Sequence, residues 1–243
     1  MAFVDTHCHV DLYPDYVNLL RETESAEVYT IAVTNTPSVF RRCLSLTKDT
    51  KFIWAALGLH PQLVAQRHHE LDLMFDMFDE TRYVGEIGLD FSTTQQADRS
   101  LQERVFTAIL NRCVRSPNKV LTVHSRRAAG RVIDLIGNSF PCVVIMHWFS
   151  GSQKELQKAI SAGFYFSANS AMIGSEKGRK LLEKVPLDRL LTESDGPFVK
   201  LNGRPARPQD IEQTVLGLAE LFGVTVDSVA KNIQANFTRI LSK

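Results

Sequence analysis

Short apolar runs alternate with segments of helical period along almost the whole chain. Eight of these runs predict strands, at residues 2–7, 28–34, 52–60, 82–89, 119–125, 142–148, 163–168 and 188–194. Amphipathic stretches between them, such as 70–80 and 102–114, predict helices, and two more helices are expected at 208–223 and 225–243. Strands that read as near-continuous apolar runs are typical of parallel strands covered by helices on both faces.

This alternation predicts an α/β fold. Eight such strands in a chain of 243 residues favour a closed (β/α)8 barrel of the TIM type, an architecture that forms one domain at about this length. A doubly wound open sheet is the alternative that the same alternation allows. No linker, low-complexity segment or repeat interrupts the pattern, so we expect one domain over residues 1–243.

Composition narrows the class of protein without deciding it. The chain is 44% hydrophobic and 23% charged, as expected for a globular protein with a full core. Its net charge of +1 provides no global field for recruiting nucleic acid or an anionic membrane, so such binding would need a local patch. Four widely spaced cysteines and the lack of a leader or long apolar run predict a soluble cytoplasmic protein with no membrane association.

Metal-competent side chains fall repeatedly at the predicted carboxyl ends of strands. His7 and His9 end the first strand, and because side chains alternate along a strand they point to the same face. The later strand ends carry His60, Glu86, His124, His147 and Asp195. In a parallel barrel these ends converge on the face where active sites are built. By contrast, His68 and His69 lie inside a helical stretch, and we assign them no role in a site.

This set of imidazoles and carboxylates suits divalent ions such as Zn²⁺ or Mn²⁺, while Mg²⁺ fits imidazole less well. The candidate metal ligands are His7, His9, Glu86, His124, His147 and Asp195. Six ligands are too many for one tetrahedral site with an open position. We therefore expect two ions per chain, roughly 3.5–4 Å apart.

The order of the candidate ligands suggests a division of roles. Glu86 lies in the middle of the sequence and is the natural bridge between two ions. The histidine pair of the first strand would complete one ion, and the histidines of the fifth and sixth strands the other. Asp195 would act as a ligand and accept a proton from the attacking water.

Six ordered motifs resemble those of the TatD-like metal-dependent DNases, within the amidohydrolase-like barrel superfamily. The motifs are DTHCHVD (5–11), GLHP (58–61), GEIGLD (85–90), VHSRRA (123–128), HWFSG (147–151) and ESDGPF (193–198). The closing NFTRIL (236–241) is also similar, so the resemblance spans essentially the whole chain. Within the family, LYPD, GLHPQL, SRRA, HWFSG and SDGPF are most similar to the short TatD-like nucleases of Qat anti-phage systems.

The resemblance implies a metal-dependent deoxyribonuclease, with 3′–5′ exonuclease action on single-stranded DNA and protein partners from a Qat-type defence system. It implies the same six metal ligands, among which Glu86 and Asp195 are catalytic, and it implies that His60 and Arg126 contact the scissile phosphate. One departure lies beside the site: many members carry a histidine where this chain has Gln62. We therefore expect the chemistry to be kept while substrate preference differs.

Several residues near the candidate ligands have two possible roles. The aromatic residues beside the ligands are Trp148, Phe149 and Phe198. Each could stack on a base or pack in the core. The basic stretch 200–208 could contact a nucleic-acid backbone over the same barrel face. Asp5 and Asp11 are expected to orient ligand imidazoles.

Three other functions compete with the nuclease. A metal-dependent amidohydrolase of this barrel type commonly bridges its ions with a carbamylated lysine, but here Glu86 takes that position and no predicted strand ends in lysine. A phosphatase acting on small phosphomonoesters would use the same chemistry. A non-catalytic partner in a defence complex is disfavoured, because a scaffold has no need of a complete ligand set.

Overall fold

Eight parallel strands pair in chain order and form a nearly closed barrel, as a computed structural model shows for residues 2–242. The strands β1 to β8 span Val4–Cys8, Tyr29–Val33, Ile53–Leu57, Tyr83–Gly88, Val120–His124, Val143–Met146, Tyr165–Ala168 and Leu190–Thr192. Each pairs with the next in parallel register. The sequential order confirms the predicted (β/α)8 barrel, since a doubly wound sheet reverses its strand order at a switch point.

Helices follow the strands and cover the outside of the barrel. Within residues 2–242 the helices α1 to α11 span Tyr16–Ser25, Pro37–Thr47, Val64–Arg67, Leu71–Asp76, Gln96–Val114, Ala129–Ile136, Gln153–Ser161, Ser170–Ile173, Glu176–Leu182, Ile211–Phe222 and Val226–Leu241. The predicted helix at 70–80 is α4 followed by a 3-10 turn, and the one at 102–114 is the second half of α5. Lys243, the end of the last predicted helix, lies outside the described residues. No helix in the described part of the chain is both long and apolar enough to cross a membrane.

The first and last strands meet through hydrogen bonds that close the barrel. The Thr6 hydroxyl donates to the Thr192 carbonyl (3.0 Å), and the Asp195 N–H donates to the His7 carbonyl (2.9 Å). Asp5 crosses the same seam, because its Oδ1 accepts the N–H of His7 at 3.1 Å and that of Ser194 at 2.9 Å. The seam therefore fixes the exit of β8 against the exit of β1.

At the opposite end of the barrel, α11 packs on the amino-terminal ends of β2, β3 and β4. Trp54 lies between Tyr29 and Tyr83, with ring centroids 5.7 Å from each, and Phe237 of α11 packs against the same group. Asn236, next to this aromatic group and fully buried, donates from Nδ2 to the carbonyls of Leu187 (2.7 Å) and Leu190 (2.8 Å). The last helix is thus joined to the start of β8.

We expect Asn236→Ala to lower the free energy of unfolding by about 1–3 kcal/mol, because two carbonyls lose their donor. Urea denaturation followed by circular dichroism measures this change. Thr238→Ala is the matched control, because Thr238 is exposed on the same helix. If both variants unfold at the same urea concentration, the Asn236 bonds do not hold α11 to the barrel.

Candidate metal centre

The site residues predicted from the sequence meet at the carboxyl ends of the strands. A cleft of about 580 Å³ opens there. Its lining includes His60, Glu86, His124, Arg126, His147 and Asp195. His7 and His9, both buried, lie beside these residues. His68 and His69 lie in an exposed 3-10 turn and do not belong to this lining, as expected.

One oxygen of Glu86 faces the histidine pair of β1. Its Oε2 lies 3.4 Å from His7 Nε2 and 3.3 Å from His9 Nε2. The two Nε2 atoms are 3.2 Å apart, so both rings point into the same space. Asp195 approaches from β8, with Oδ1 at 3.8 Å from His7 Nε2 and 3.7 Å from His9 Nε2.

The other oxygen of Glu86 faces the histidines of β3, β5 and β6. Its Oε1 lies 2.7 Å from His124 Nδ1, 3.4 Å from His60 Nε2 and 3.7 Å from His147 Nε2. The carboxylate therefore stands between two groups of imidazoles with one oxygen toward each. This is the geometry expected of a bridging group.

Within residues 2–242, three sets of ligand atoms lie within 4.8 Å of one another. The sets are His7 with His9 and Asp195, His7 with His147 and Glu193, and His60 with Glu86 and His124. They share members or touch through Glu86, so they form one connected cluster. Since each set contains at least one imidazole and one carboxylate, the cluster is chemically suited to ions that accept both nitrogen and oxygen ligands.

The hydrogen bond behind the His60 ring determines what this residue offers to the cleft. His60 Nδ1 accepts the backbone N–H of Gln62 at 3.2 Å. A backbone N–H can only donate, so the neutral ring carries its proton on Nε2. His60 therefore presents a hydrogen-bond donor to the cleft, which suits an anionic oxygen better than a metal ion.

His124 is held from behind by an acid to which the sequence analysis gave no role. Its Nε2 lies 2.9 Å from Asp90 Oδ2, which also accepts from Gln62 Nε2 at 2.7 Å. Asp90 is buried and its second oxygen accepts the Ser92 N–H at 2.8 Å. This arrangement leaves Nδ1 of His124 facing Glu86. Asp90 ends the GEIGLD motif, and an acid four residues after a candidate ligand was the available signal.

His147 is held in the opposite sense. Its Nδ1 lies 2.9 Å from Glu193 Oε2, while its Nε2 faces Glu86 and, at 4.0 Å, Asp195 Oδ2. The ring stacks on His7 with centroids 3.7 Å apart and planes 13° from parallel. Glu193 was also missed as a site residue, although it lies two positions before Asp195 and so shares its side of the chain.

The expectation that Asp5 orients an imidazole is wrong. Asp5 accepts main-chain N–H groups, from His7 on its own strand and from Ser194 across the barrel seam, and the ring of His7 instead has its Nδ1 at 2.6 Å from the Thr122 hydroxyl. Asp11 interacts electrostatically with His9, but no hydrogen bond joins it to an imidazole among the described residues, so its role stays a prediction. The acids that hold ligand rings follow β4 and β8 rather than β1.

The three aromatic residues near the cluster separate into two roles. Phe149 is buried and packs edge-on against Phe166, with centroids 5.6 Å apart, so it belongs to the core. Trp148 and Phe198 line the cleft and are 36% and 59% exposed. Arg126 is an exposed part of the same lining. The open rings and the guanidinium are thus available to a substrate.

The basic stretch after β8 is largely neutralised within the chain. It contains a short antiparallel hairpin, in which Lys200 is exposed. Arg204 forms a bidentate salt bridge with Asp210, in which both guanidinium nitrogens lie 2.7 Å from a carboxylate oxygen. Arg207 forms a salt bridge with Asp15, with Nη2 at 2.6 Å from Oδ2. Because both arginines already have carboxylate partners, we do not assign this stretch to nucleic-acid binding.

Three members of the cluster, His124, His147 and Asp195, favour their protonated forms when no cation is bound. Burial lowers the pKa of His147, but Glu193 and Asp195 outweigh it and raise the pKa to about 10. Burial also lowers the pKa of His124, but the hydrogen bonds to Asp90 and Glu86 outweigh it and raise this pKa to about 8. Burial, together with Glu193 and Glu86, raises the pKa of Asp195 well above its usual range. A bound cation would reverse these preferences, because it favours neutral imidazole and ionised carboxylate.

The chain is similar to proteins described as deoxyribonucleases and metal-dependent hydrolases. The sequence profile described as TatD related DNase matches residues 4–242. The chain is 31% identical to the "Uncharacterized metal-dependent hydrolase YjjV" of Escherichia coli K12, over 96% of this chain and 95% of that protein. It is 27% identical to the "Putative deoxyribonuclease tatdn3" of Danio rerio, over 100% and 98%. The crystal structure of YjjV superposes with a TM-score of 0.85 at 25% identity, covering 96% and 95%.

A (β/α)8 barrel with clustered imidazoles and carboxylates at its strand ends defines the class of metal-dependent hydrolases, and this chain is an enzyme of that class. Because the family profile covers nearly its full length, the chain belongs to the TatD-related DNase family.

We expect metal loading at pH 7 to release protons, because the metal-free cluster holds them on His124, His147 and Asp195. The apparent metal affinity should rise between pH 6 and pH 8, the range approaching the pKa of His124. Zinc titration calorimetry in buffers of different ionisation enthalpy counts the protons released. Identical heats in all buffers would show that these groups are already deprotonated.

Proposed function

We propose that this enzyme is a deoxyribonuclease that hydrolyses DNA phosphodiesters, acting as a 3′–5′ exonuclease on single-stranded DNA. The observation that carries the proposal is the Glu86 carboxylate, which faces two groups of imidazoles beside a cleft with an unpaired arginine. The name of the zebrafish relative supports the same substrate class. The single barrel supports the inference that residues 1–243 form one domain.

The residues present fit two divalent ions, which we infer to be Zn²⁺, Mn²⁺ or Mg²⁺. The proposed ligands are His7, His9, Glu86, His124, His147 and Asp195. The fit is seen in the rings of His124 and His147, each of which has one nitrogen bound to a carboxylate and the other directed at Glu86. Such carboxylate–histidine pairs are usual behind metal-binding imidazoles. Bound ions would lower the pKa of water and offset negative charge on the phosphate.

The chain's own residues bind and orient the phosphate. Arg126 is exposed in the cleft and makes no ion pair with the described residues, so its planar guanidinium is free for a phosphate oxygen. His60 presents an Nε2–H to the same space, because its other nitrogen accepts from the Gln62 backbone. Together they supply donors to the cleft that Glu86 also lines, and they would hold the phosphodiester beside the proposed ions.

Asp195 is the proposed acceptor of the proton from the attacking water. It lines the cleft, and its two oxygens lie between His7, His9 and His147 without a direct hydrogen bond to them. A bound cation would favour the ionised form of this carboxyl, which could then accept a proton from a water molecule in the cleft. Glu86, in contrast, has histidine nitrogens near both of its oxygens. Its carboxylate is therefore suited to remaining ionised and holding cations in position.

The exposed aromatic rings support a single-stranded substrate. Trp148 and Phe198 line the cleft from the ends of β6 and β8, and unpaired bases can stack on such rings for about 1–3 kcal/mol each. Bases inside a duplex are stacked on both faces, and at its end only the outermost pair has an exposed face, whereas several bases of an unpaired strand end can stack on aromatic rings. We therefore propose that these two rings select the unpaired end of a strand.

We further propose that the enzyme acts in the cytoplasm with protein partners of a Qat-type anti-phage system. The support is the similarity of LYPD, GLHPQL, SRRA, HWFSG and SDGPF to the nucleases of those systems. The four free cysteines, which include the buried Cys8, Cys43 and Cys113, suit a reducing compartment.

A substrate panel tests the proposal. The metal-loaded enzyme should release mononucleotides from the 3′ end of labelled single-stranded DNA faster than from duplex DNA, RNA, a chromogenic phosphomonoester or a cyclic amide. Arg126→Ala should raise the KM for single-stranded DNA and leave the metal content unchanged. Arg131→Ala is the matched control, because Arg131 pairs with Glu103 on the neighbouring helix. Preferred turnover of the phosphomonoester or the amide would replace the nuclease assignment.

We expect substitutions of Glu86 and Asp195, the two proposed catalytic carboxylates, to differ in their effects on metal content and on DNA cleavage. Glu86→Gln keeps the size but removes the charge that offsets two cations, so both metal content and DNA cleavage should fall. Asp195→Asn should keep much of the metal and lose proton acceptance, with the rate falling by about 10²–10⁴-fold. Elemental analysis and cleavage rates measured on the same samples separate the two. If Asp195→Asn removes metal as fully as Glu86→Gln, Asp195 acts mainly as a ligand.

A further inference from the structure

We propose that Glu193 is a positioning residue that fixes the tautomer of His147, so that the Nε2 lone pair of His147 faces the ligand cluster. The inference rests on the proposed metal site. It assigns a task to a buried acid that the reaction itself does not use, and it extends that task to a strand, β7, that contributes none of the proposed ligands.

Both oxygens of Glu193 are occupied by donors from its neighbours. Oε1 accepts from Asn169 Nδ2 at 2.8 Å, and Oε2 accepts from the Ser167 hydroxyl and lies 2.9 Å from His147 Nδ1. Glu193, Ser167 and Asn169 are fully buried. A carboxylate can only accept, so His147 must carry a proton on Nδ1. The nitrogen left for a metal ion is Nε2.

The orientation of Asn169 is itself fixed. Its Oδ1 accepts the Met172 N–H at 3.0 Å and thereby caps α8. Because that backbone group can only donate, the amide cannot be turned around, and Nδ2 must face Glu193. The direction of donation therefore runs from the Met172 backbone to the Asn169 amide and to Glu193, with His147 donating to the same carboxylate.

This arrangement separates positioning from ligation. Glu193 belongs to one of the three sets of possible metal ligands, with His7 and His147. Its oxygens, however, already accept three hydrogen bonds in a fully buried environment. An ion bound at Oε2 would displace the Ser167 hydroxyl and the His147 Nδ1–H from that oxygen, at a cost of about 1–3 kcal/mol for each buried donor left without an acceptor. Positioning satisfies every partner.

The proposal predicts that Glu193→Gln changes the tautomer of His147. The Gln oxygen must face Asn169 Nδ2, whose direction is fixed, so the Gln NH₂ group must face His147. The His147 Nδ1 must then accept, and the neutral ring carries its proton on Nε2, toward the cluster. We expect zinc affinity at the His147 position to fall by about 10–100-fold, the usual effect of losing such a partner.

A reciprocal exchange should reverse the effect. In Glu193→Gln/Asn169→Asp the charge moves to position 169. The new Asp can accept from both the Met172 N–H and the Gln NH₂ group, which leaves the Gln oxygen to accept from His147 Nδ1 and Ser167. The double variant has the same net charge and nearly the same side-chain volumes as the unaltered chain. We expect zinc affinity to return to within a few-fold of the original.

Equilibrium zinc titration of the full chain measures the affinity for each ion. Nitrogen-15 spectra of the histidine-labelled, zinc-loaded protein report which ring nitrogen carries the proton, and His147→Ala identifies the His147 signals. Recovery of the Nδ1–H signal and of zinc affinity in the double variant supports the proposal. A double variant as weak as Glu193→Gln overturns it, since glutamine is a poor ligand and Glu193 would then be binding zinc directly. Unchanged affinity in Glu193→Gln overturns it as well.

Two controls separate other failures from this one. If Glu193→Gln does not fold, the double variant decides alone, because zinc binding and an Nδ1–H signal like those of the unaltered chain still require the exchanged polarity, and their absence overturns the proposal. Ser167→Ala should keep the His147 tautomer, because Glu193 remains as acceptor. If the unaltered chain binds no zinc, the proposed metal site fails, whereas equal binding by all variants refutes the positioning role only.

Discussion

The buried carboxylate of Glu86 is the group around which the site is arranged. It is 2% exposed, and a buried charge of this kind is costly unless its partners compensate for it. Burial alone would raise its pKa, but the histidines around it, His60 and His7 foremost, hold that pKa well below its usual range. Those histidines come from separate strands, so the carboxylate requires the strand ends to converge. The compensation of the Glu86 charge therefore depends on the strands being placed as they are in the closed barrel.

The acids behind the rings complete this arrangement. His124 and His147 expose different nitrogens to the cluster, Nδ1 and Nε2, because Asp90 and Glu193 contact the opposite ones. His60 shows the same principle with a backbone N–H as the partner. In each case the chemistry that the imidazole offers is decided by a group on its far side. The ligand cluster and its supporting hydrogen bonds therefore form a single polar network.

Much of the fold, and the convergence of the candidate site residues, could be predicted because both depend on local sequence. Each predicted strand overlaps an observed one. Glu86 lies inside β4 and Asp195 shortly after β8, and both line the cleft at the carboxyl ends of the strands. Pairing between distant segments could not be predicted. The partners of Arg204 and Arg207 are acids whose proximity depends on how loops pack. Phe149 and Trp148 are neighbouring aromatic residues that the sequence does not distinguish. The path of the backbone buries Phe149 and leaves Trp148 partly exposed.

The seam between β1 and β8 determines when the site can form during synthesis and folding. His7 and Asp195 are joined there by a backbone hydrogen bond, and Asp5 holds Ser194 across the same line. β1 precedes β8 in the chain and is therefore synthesised before it. A partly translated chain has the early histidines but lacks both Glu193 and Asp195, so the cluster is incomplete until the barrel closes. The cluster is thus complete only when the barrel has closed, and a partly translated chain that ends before β8 lacks two of its carboxylates.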